Sequence, residues 1–194
     1  VRIPARSAAL ILPVPLGIAL SAAMLWQASH LAPAVVDSGG PNRWASTIGL
    51  TNDATAPMFA ASNLTPGQGS TRCLAVAATG TAPAEVRFYT ATGTAPTRDI
   101  SRYITLTIQR GTGGSFATCD GFTPTAAVFT GTLSTLSRTA VNYATGLPAG
   151  GLTGAGPPEY LSYRITWTLS PRTPNSAQSG STPETTFTWE ARTR

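Results

Sequence analysis

Leu161-Ser162-Tyr163-Arg164-Ile165-Thr166-Trp167-Thr168-Leu169 sets large apolar side chains on the odd positions and Ser, Arg or Thr on the even ones. A period of two over that length is the mark of a strand with one buried face and one wet face. Outward from it the same alternation recurs. Ile104, Leu106 and Ile108 share a face within Tyr103-Ile104-Thr105-Leu106-Thr107-Ile108, and Phe187 with Trp189 repeat it near the end of the chain. Leu74 with Val76, and Val86 with Phe88, predict two further strands. Strands with one solvated face belong to antiparallel sheets.

The punctuation between these runs agrees. Thr65-Pro66-Gly67 puts Pro before Gly, the order that a type II turn requires. Thr79-Gly80-Thr81, Gly111-Thr112-Gly113-Gly114 and Thr173-Pro174-Asn175 are further turn signals. Two connections read as long loops: residues 111–127, and residues 138–159 with the Gly-rich stretch from Gly146 to Gly156. Several short amphipathic strands joined in this way predict an all-β, antiparallel, two-sheet sandwich.

Composition supports that class. The chain has 194 residues, 19 of them Gly, 16 Pro and 31 Thr, with 42% hydrophobic and 11% charged residues. Thr suits a pleated surface, whereas Gly and Pro break helix interiors, so a helical bundle is excluded. The length corresponds to little more than one domain.

Arg2 and Arg6 precede an uncharged apolar segment from Ser7 to Trp26, and small residues follow at Leu31-Ala32-Pro33-Ala34. A basic start, an apolar middle and an A-x-A-like end are the parts of a secretory signal peptide, here a signal helix. The expected division is residues 1–34 as signal, 35–50 as an N-terminal arm and 51–194 as the sandwich. The alternative is a retained anchor, the one route to a membrane, since about 20 apolar residues span a bilayer. Pro13 and Pro15 interrupt such a helix. A protein cleaved after Ala34 keeps 160 residues and a charge of +3, against +5 for the whole chain. Export to the extracellular side or the cell surface favours a disulfide between Cys73 and Cys119, the only cysteines; two buried free thiols are the alternative.

The residue inventory excludes much chemistry. The only histidine, His30, lies in the leader, so the exported part has no Ser-His-Asp triad, no Cys-His pair and no imidazole zinc site. All 13 basic residues are Arg; without Lys there is no Schiff base and no P-loop. Carboxylates remain at Asp37, Asp53, Glu85, Asp99, Asp120, Glu159, Glu184 and Glu190, and a glycosidase needs two of these across a bond, but none sits in a motif. Gly150-Gly151-Leu152-Thr153-Gly154-Ala155-Gly156 resembles a dinucleotide fingerprint but lacks the strand before it and the helix after it. The arginines are dispersed without an aromatic platform, so no nucleic-acid partner is expected. Asn63-Leu64-Thr65 matches a glycosylation acceptor and also opens a turn. No catalytic residue, cofactor or metal is expected.

The order of motifs carries a resemblance. Met58-Phe59, Asn63-Leu64-Thr65-Pro66-Gly67, Ser70-Thr71-Arg72, Thr79-Gly80-Thr81, Val86-Arg87-Phe88-Tyr89, Thr130-Gly131-Thr132-Leu133 and Phe187-Thr188-Trp189-Glu190-Ala191 resemble segments of the TasA/camelysin family of secreted bacterial surface and biofilm-matrix proteins, over roughly residues 45–192. The resemblance implies a jelly-roll-like sandwich and self-association into extracellular filaments, in which the N-terminal segment of one subunit pairs with the sheet of the next. The matching segment is residues 35–50, with Val35, Val36, Trp44, Ile48 and Leu50 as assembly contacts; an ordinary first strand or an unpaired arm is the alternative. The family also carries a metalloprotease description, which the missing His-Glu-x-x-His contradicts here. A monomeric module for matrix polysaccharide, using Tyr89, Tyr143 and Tyr160, is the other functional expectation.

Overall fold

The computed structural model describes Met24–Ala28 as backbone and residues 48–193, apart from residues 157 and 178. The remaining residues of the expected signal segment and of the N-terminal arm lie outside the described residues. The strands in chain order are β1 (Met24–Ala28), β2 (Ile48–Asn52), β3 (Phe59–Ala61), β4 (Gly69–Gly80), β5 (Ala84–Thr92), β6 (Ile104–Thr112), β7 (Thr123–Thr132), β8 (Leu147–Leu152), β9 (Glu159–Leu169) and β10 (Thr185–Thr193). One helix, α1 (Leu133–Thr139), follows β7.

The strands form two sheets, β3-β1-β10-β5-β8 and β2-β4-β9-β6-β7. Every pairing is antiparallel except β1 with β10. The alternating run Leu161–Leu169 is most of β9, the centre of the second sheet, paired with β4 on one side and β6 on the other. Its odd residues Tyr163, Ile165, Trp167 and Leu169 are buried, as alternation requires. They meet Val86, Phe88, Phe187 and Trp189 of the first sheet in one apolar layer. Phe88 lies 5.0 Å from Trp189 and 5.5 Å from Phe187 between ring centroids, and Tyr163 lies 5.2 Å from Trp189. Such tilted aromatic contacts add to the area they remove from water.

The turn at Thr65–Gln68 has the predicted chemistry: Gln68 N–H donates to the Thr65 carbonyl at 2.9 Å, and Gly67 has φ of +88°. The two expected long loops are shorter than the composition implies. Strand β7 begins inside residues 111–127, and β8 occupies part of 138–159. Strand β8 is a Gly-rich edge strand that owes its order to its neighbours: Ala149 and Leu152 are buried, and the Tyr163 hydroxyl donates to the Ala149 carbonyl at 2.9 Å. Pro148 is tolerated there because an edge strand has one unpaired side. The sequence pattern does not predict helix α1. Thr132 caps it, accepting from Thr135 N–H at 3.1 Å, while Leu133 and Leu136 close one end of the core. Seven residues with one i, i+3 apolar pair are too few to show a helical period.

Candidate functional site

The first site is where sheet one is completed by the N-terminal segment. Strand β1 lies between β10 and β3, with Trp26 opposite both Thr185 and Phe59. It is the one described strand that pairs with β3, which is only three residues long. Beside β3 is a cleft of ≈ 280 Å³ lined by Met58, Phe59, Gln68, Arg72 and Trp167. Phe59 meets Trp167 edge-on at 6.4 Å. Of the expected assembly residues, Ile48 and Leu50 are buried in β2, paired with Gly80 and Ala78 of β4 within their own sheet. Val35, Val36 and Trp44 lie outside the described residues.

The second site is the disulfide loop. Cys73 and Cys119 are bonded, with Cα atoms 5.2 Å apart. Cys73 points to the outer face of β4 and is buried because the loop at residues 113–122 folds over it, with Gly113 and Gly114 at φ of +71° and +70° to make the turn. The Asp53 carboxylate ties this loop to the sheet, accepting from Ala75 N–H at 2.9 Å and from Phe116 N–H at 2.8 Å. A cleft of ≈ 180 Å³ lies between Ser70–Cys73 and Phe116–Cys119. A structural disulfide suits an oxidising compartment. No helix among the described residues is long and apolar enough to cross a membrane.

The third site is the outer face of sheet one, where β5 and β10 set Arg87 opposite Glu190 and Glu85 opposite Arg192. Arg87 pairs with Glu85 at 2.9 Å and Arg192 with Glu190 at 2.8 Å. The Tyr89 hydroxyl donates to Glu190 at 2.8 Å. The Tyr143 ring has the Arg192 guanidinium 4.1 Å from its centroid and that of Arg87 at 5.6 Å. Of the three tyrosines expected for a polysaccharide platform, Tyr89 and Tyr143 therefore belong to one network, linked through Glu190 and Arg192, with guanidinium groups against Tyr143. Tyr160 lies on β9 of the other sheet, exposed at 65%. Elsewhere, Glu159 folds back to accept from Thr153 and Gly154 N–H groups, which hold its carboxyl below the usual range. Among the described residues, no three His, Cys, Asp or Glu side chains gather as a metal site would need.

Burial first, then the hydrogen bond and charge of Glu190, push the Tyr89 phenol up to about 12. Burial also raises Tyr163 and Tyr143. A phenol raised in the folded state stabilises the fold fully below its unfolded value near 10, and that contribution is lost as pH rises through the folded value. The expected result is a melting temperature that falls between pH 10 and 12, with phenolate absorbance of the native protein lagging that of the unfolded chain. Tyr89→Phe should shallow the fall, and an unchanged slope would show that Tyr89 does not contribute to it.

No family model matches the chain, and no curated protein matches it.

Proposed function

We propose that this chain is a secreted structural subunit with a jelly-roll-like fold that assembles into surface or matrix fibres by strand addition. The observation that carries the reading is the position of β1. The strand that separates β10 from β3 comes from the segment with signal-peptide character, so a protein cleaved after Ala34 lacks it. Cleavage then leaves Thr185–Phe187 bare along one edge and β3 without a partner, with the cleft at Met58, Phe59 and Trp167 beside them. Unpaired edges of this kind accept an extended segment from another chain, whose backbone supplies the hydrogen bonds.

The donor in this reading is the part of the arm ahead of β2, with Val35, Val36 and Trp44 as its apolar contacts, because Ile48 and Leu50 are already used within their own sheet. A donor at one end and an acceptor elsewhere make a head-to-tail contact, which gives an open filament when the rotation does not close. Tests follow by electron microscopy and size-exclusion chromatography. Protein beginning at Val35 should form filaments, protein beginning at Ile48 should stay monomeric, and a peptide of residues 22–30 should arrest growth by filling the slot. A monomer from both proteins would end the strand-addition reading. Growth unaffected by the peptide would move the acceptor to another edge.

A further inference from the structure

The outer face of the second sheet carries a lattice of threonines. Strands β9, β6 and β7 each contain a Thr-x-Thr triplet: Thr166-Trp167-Thr168, Thr105-Leu106-Thr107 and Thr130-Gly131-Thr132. The pairing brings all three into register. Thr107 is opposite both Thr166 and Thr130, and Thr105 is opposite both Thr168 and Thr132. On the far side of β9, Thr71 of β4 extends the first row, with its hydroxyl 2.9 Å from that of Thr166. Strand geometry sets the rungs about 4.8 Å apart across the sheet and about 6.8 Å apart along it.

These two rows differ chemically from the other sheet. One end of the outer face of β5 and β10 carries Glu85, Arg87, Glu190 and Arg192, whereas the threonine rows contain no charged side chain. The first charge is in the next row, where Arg164 is held by Gln109 at 2.8 Å and lies over the Phe122 ring beneath the disulfide loop. Strand β7, the edge of this sheet, has no charge from Thr123 to Thr132, although edges and solvated faces are ordinarily protected with charge. Thr71, Thr105 and Thr130 are exposed, and the others in the rows are partly exposed. No aromatic ring stands within the rows on which a sugar could stack, and no charge is present to recognise an ionic partner.

We propose that this face adsorbs to ice. The partner it fits is an uncharged solid whose hydrogen-bonding oxygens repeat in two dimensions at spacings near those of the strands, as on a prism face of hexagonal ice. The outward hydroxyls take the place of lattice waters and the methyls sit between waters; Thr132 contributes its methyl alone, because its hydroxyl caps α1. The β-branched side chain is stiff at χ1, so little rotamer freedom is lost on adsorption. Sheet twist rotates successive strands by about 20–25°, which restricts the match to the few neighbouring strands that carry the triplets. The inference is independent of filament assembly, because the face belongs to one chain.

The test uses the oxidised full chain at micromolar concentration, in an ice-recrystallisation assay and in microscopy of single ice crystals. Wild type should facet growing crystals and suppress grain coarsening, with a small hysteresis gap. Thr107→Lys and Thr166→Lys, each in the middle of a row, should lose at least ten-fold in potency at an unchanged melting temperature. Thr107→Val, which keeps the branched shape and removes the hydroxyl, should lose several-fold and serves if a lysine variant fails to fold. Thr188→Lys, on the outer face of the other sheet, should retain full potency. Round crystals and coarsening at the rate of an inert protein control would overturn the proposal. So would a Thr107→Val variant as potent as wild type, or equal loss from Thr188→Lys.

Discussion

Trp189→Ala lowers the unfolding free energy by about 3–5 kcal/mol, the range for deleting a large buried aromatic side chain. The indole is fully buried and lies between two partners, Phe88 at 5.0 Å and Tyr163 at 5.2 Å. These come from different sheets, so its removal opens a cavity across the layer that holds the sandwich together. The surrounding strands are fixed by long ladders on both sides of β9 and between β5 and β10, so they can collapse only partly into the space. Urea unfolding of the variant should show a lower midpoint with an unchanged slope. A loss below about 1 kcal/mol would mean that the site repacks, against the cavity argument.

The double substitution Cys73→Ser, Cys119→Ser costs about 4 kcal/mol in the chain-entropy account, because the bridge closes a loop spanning a separation of 46 residues. The effect combines two states. In the unfolded chain the bridge limits the ensemble, and in the folded chain it holds the loop at residues 113–122 over the outer face of β4. The Asp53 bonds to Ala75 and Phe116 remain in the variant, so the loop is expected to loosen rather than leave the sheet. Melting of the oxidised protein with and without a reductant should reproduce the shift seen in the double variant. An unchanged melting temperature in both would show that the unfolded chain gains little freedom from loss of the bridge.

An element is legible in the sequence to the extent that its cause is local. Alternation along Leu161–Leu169 and Ile104–Ile108 identifies strands because burial on one face is imposed residue by residue. The Pro66-Gly67 turn is legible for the same reason, since the backbone preference belongs to the two residues themselves. Strand β8 is different. Leu147-Pro148-Ala149-Gly150-Gly151-Leu152 has the composition of a loop, and it is a strand because β5 and the Tyr163 hydroxyl supply its partners. Helix α1 similarly depends on a Thr cap and on a core end that Leu133 and Leu136 can close.

The candidate sites divide along the same line. Pairing of Cys73 with Cys119 needed only a count of two and an oxidising compartment. The link of Tyr89 to Tyr143 through Glu190 and Arg192, and the separation of both from Tyr160, needed the register of β5 with β10 and the fold of the loop at residues 140–146. Ile48 and Leu50 read equally as an assembly arm or as a first strand, because both alternatives place apolar residues at every second position; pairing with β4 put them in the second sheet.

The sequence by itself determined that the chain is an antiparallel β domain of two sheets behind a basic, apolar N-terminal stretch, because periodicity and composition are properties of the chain alone. Tertiary structure alone decided which strands are neighbours. Only that arrangement could place Met24–Ala28 between β10 and β3 and align three separate Thr-x-Thr triplets into rows. Strand pairing joins residues far apart in the chain through backbone groups that every residue carries, so no single stretch of sequence records it.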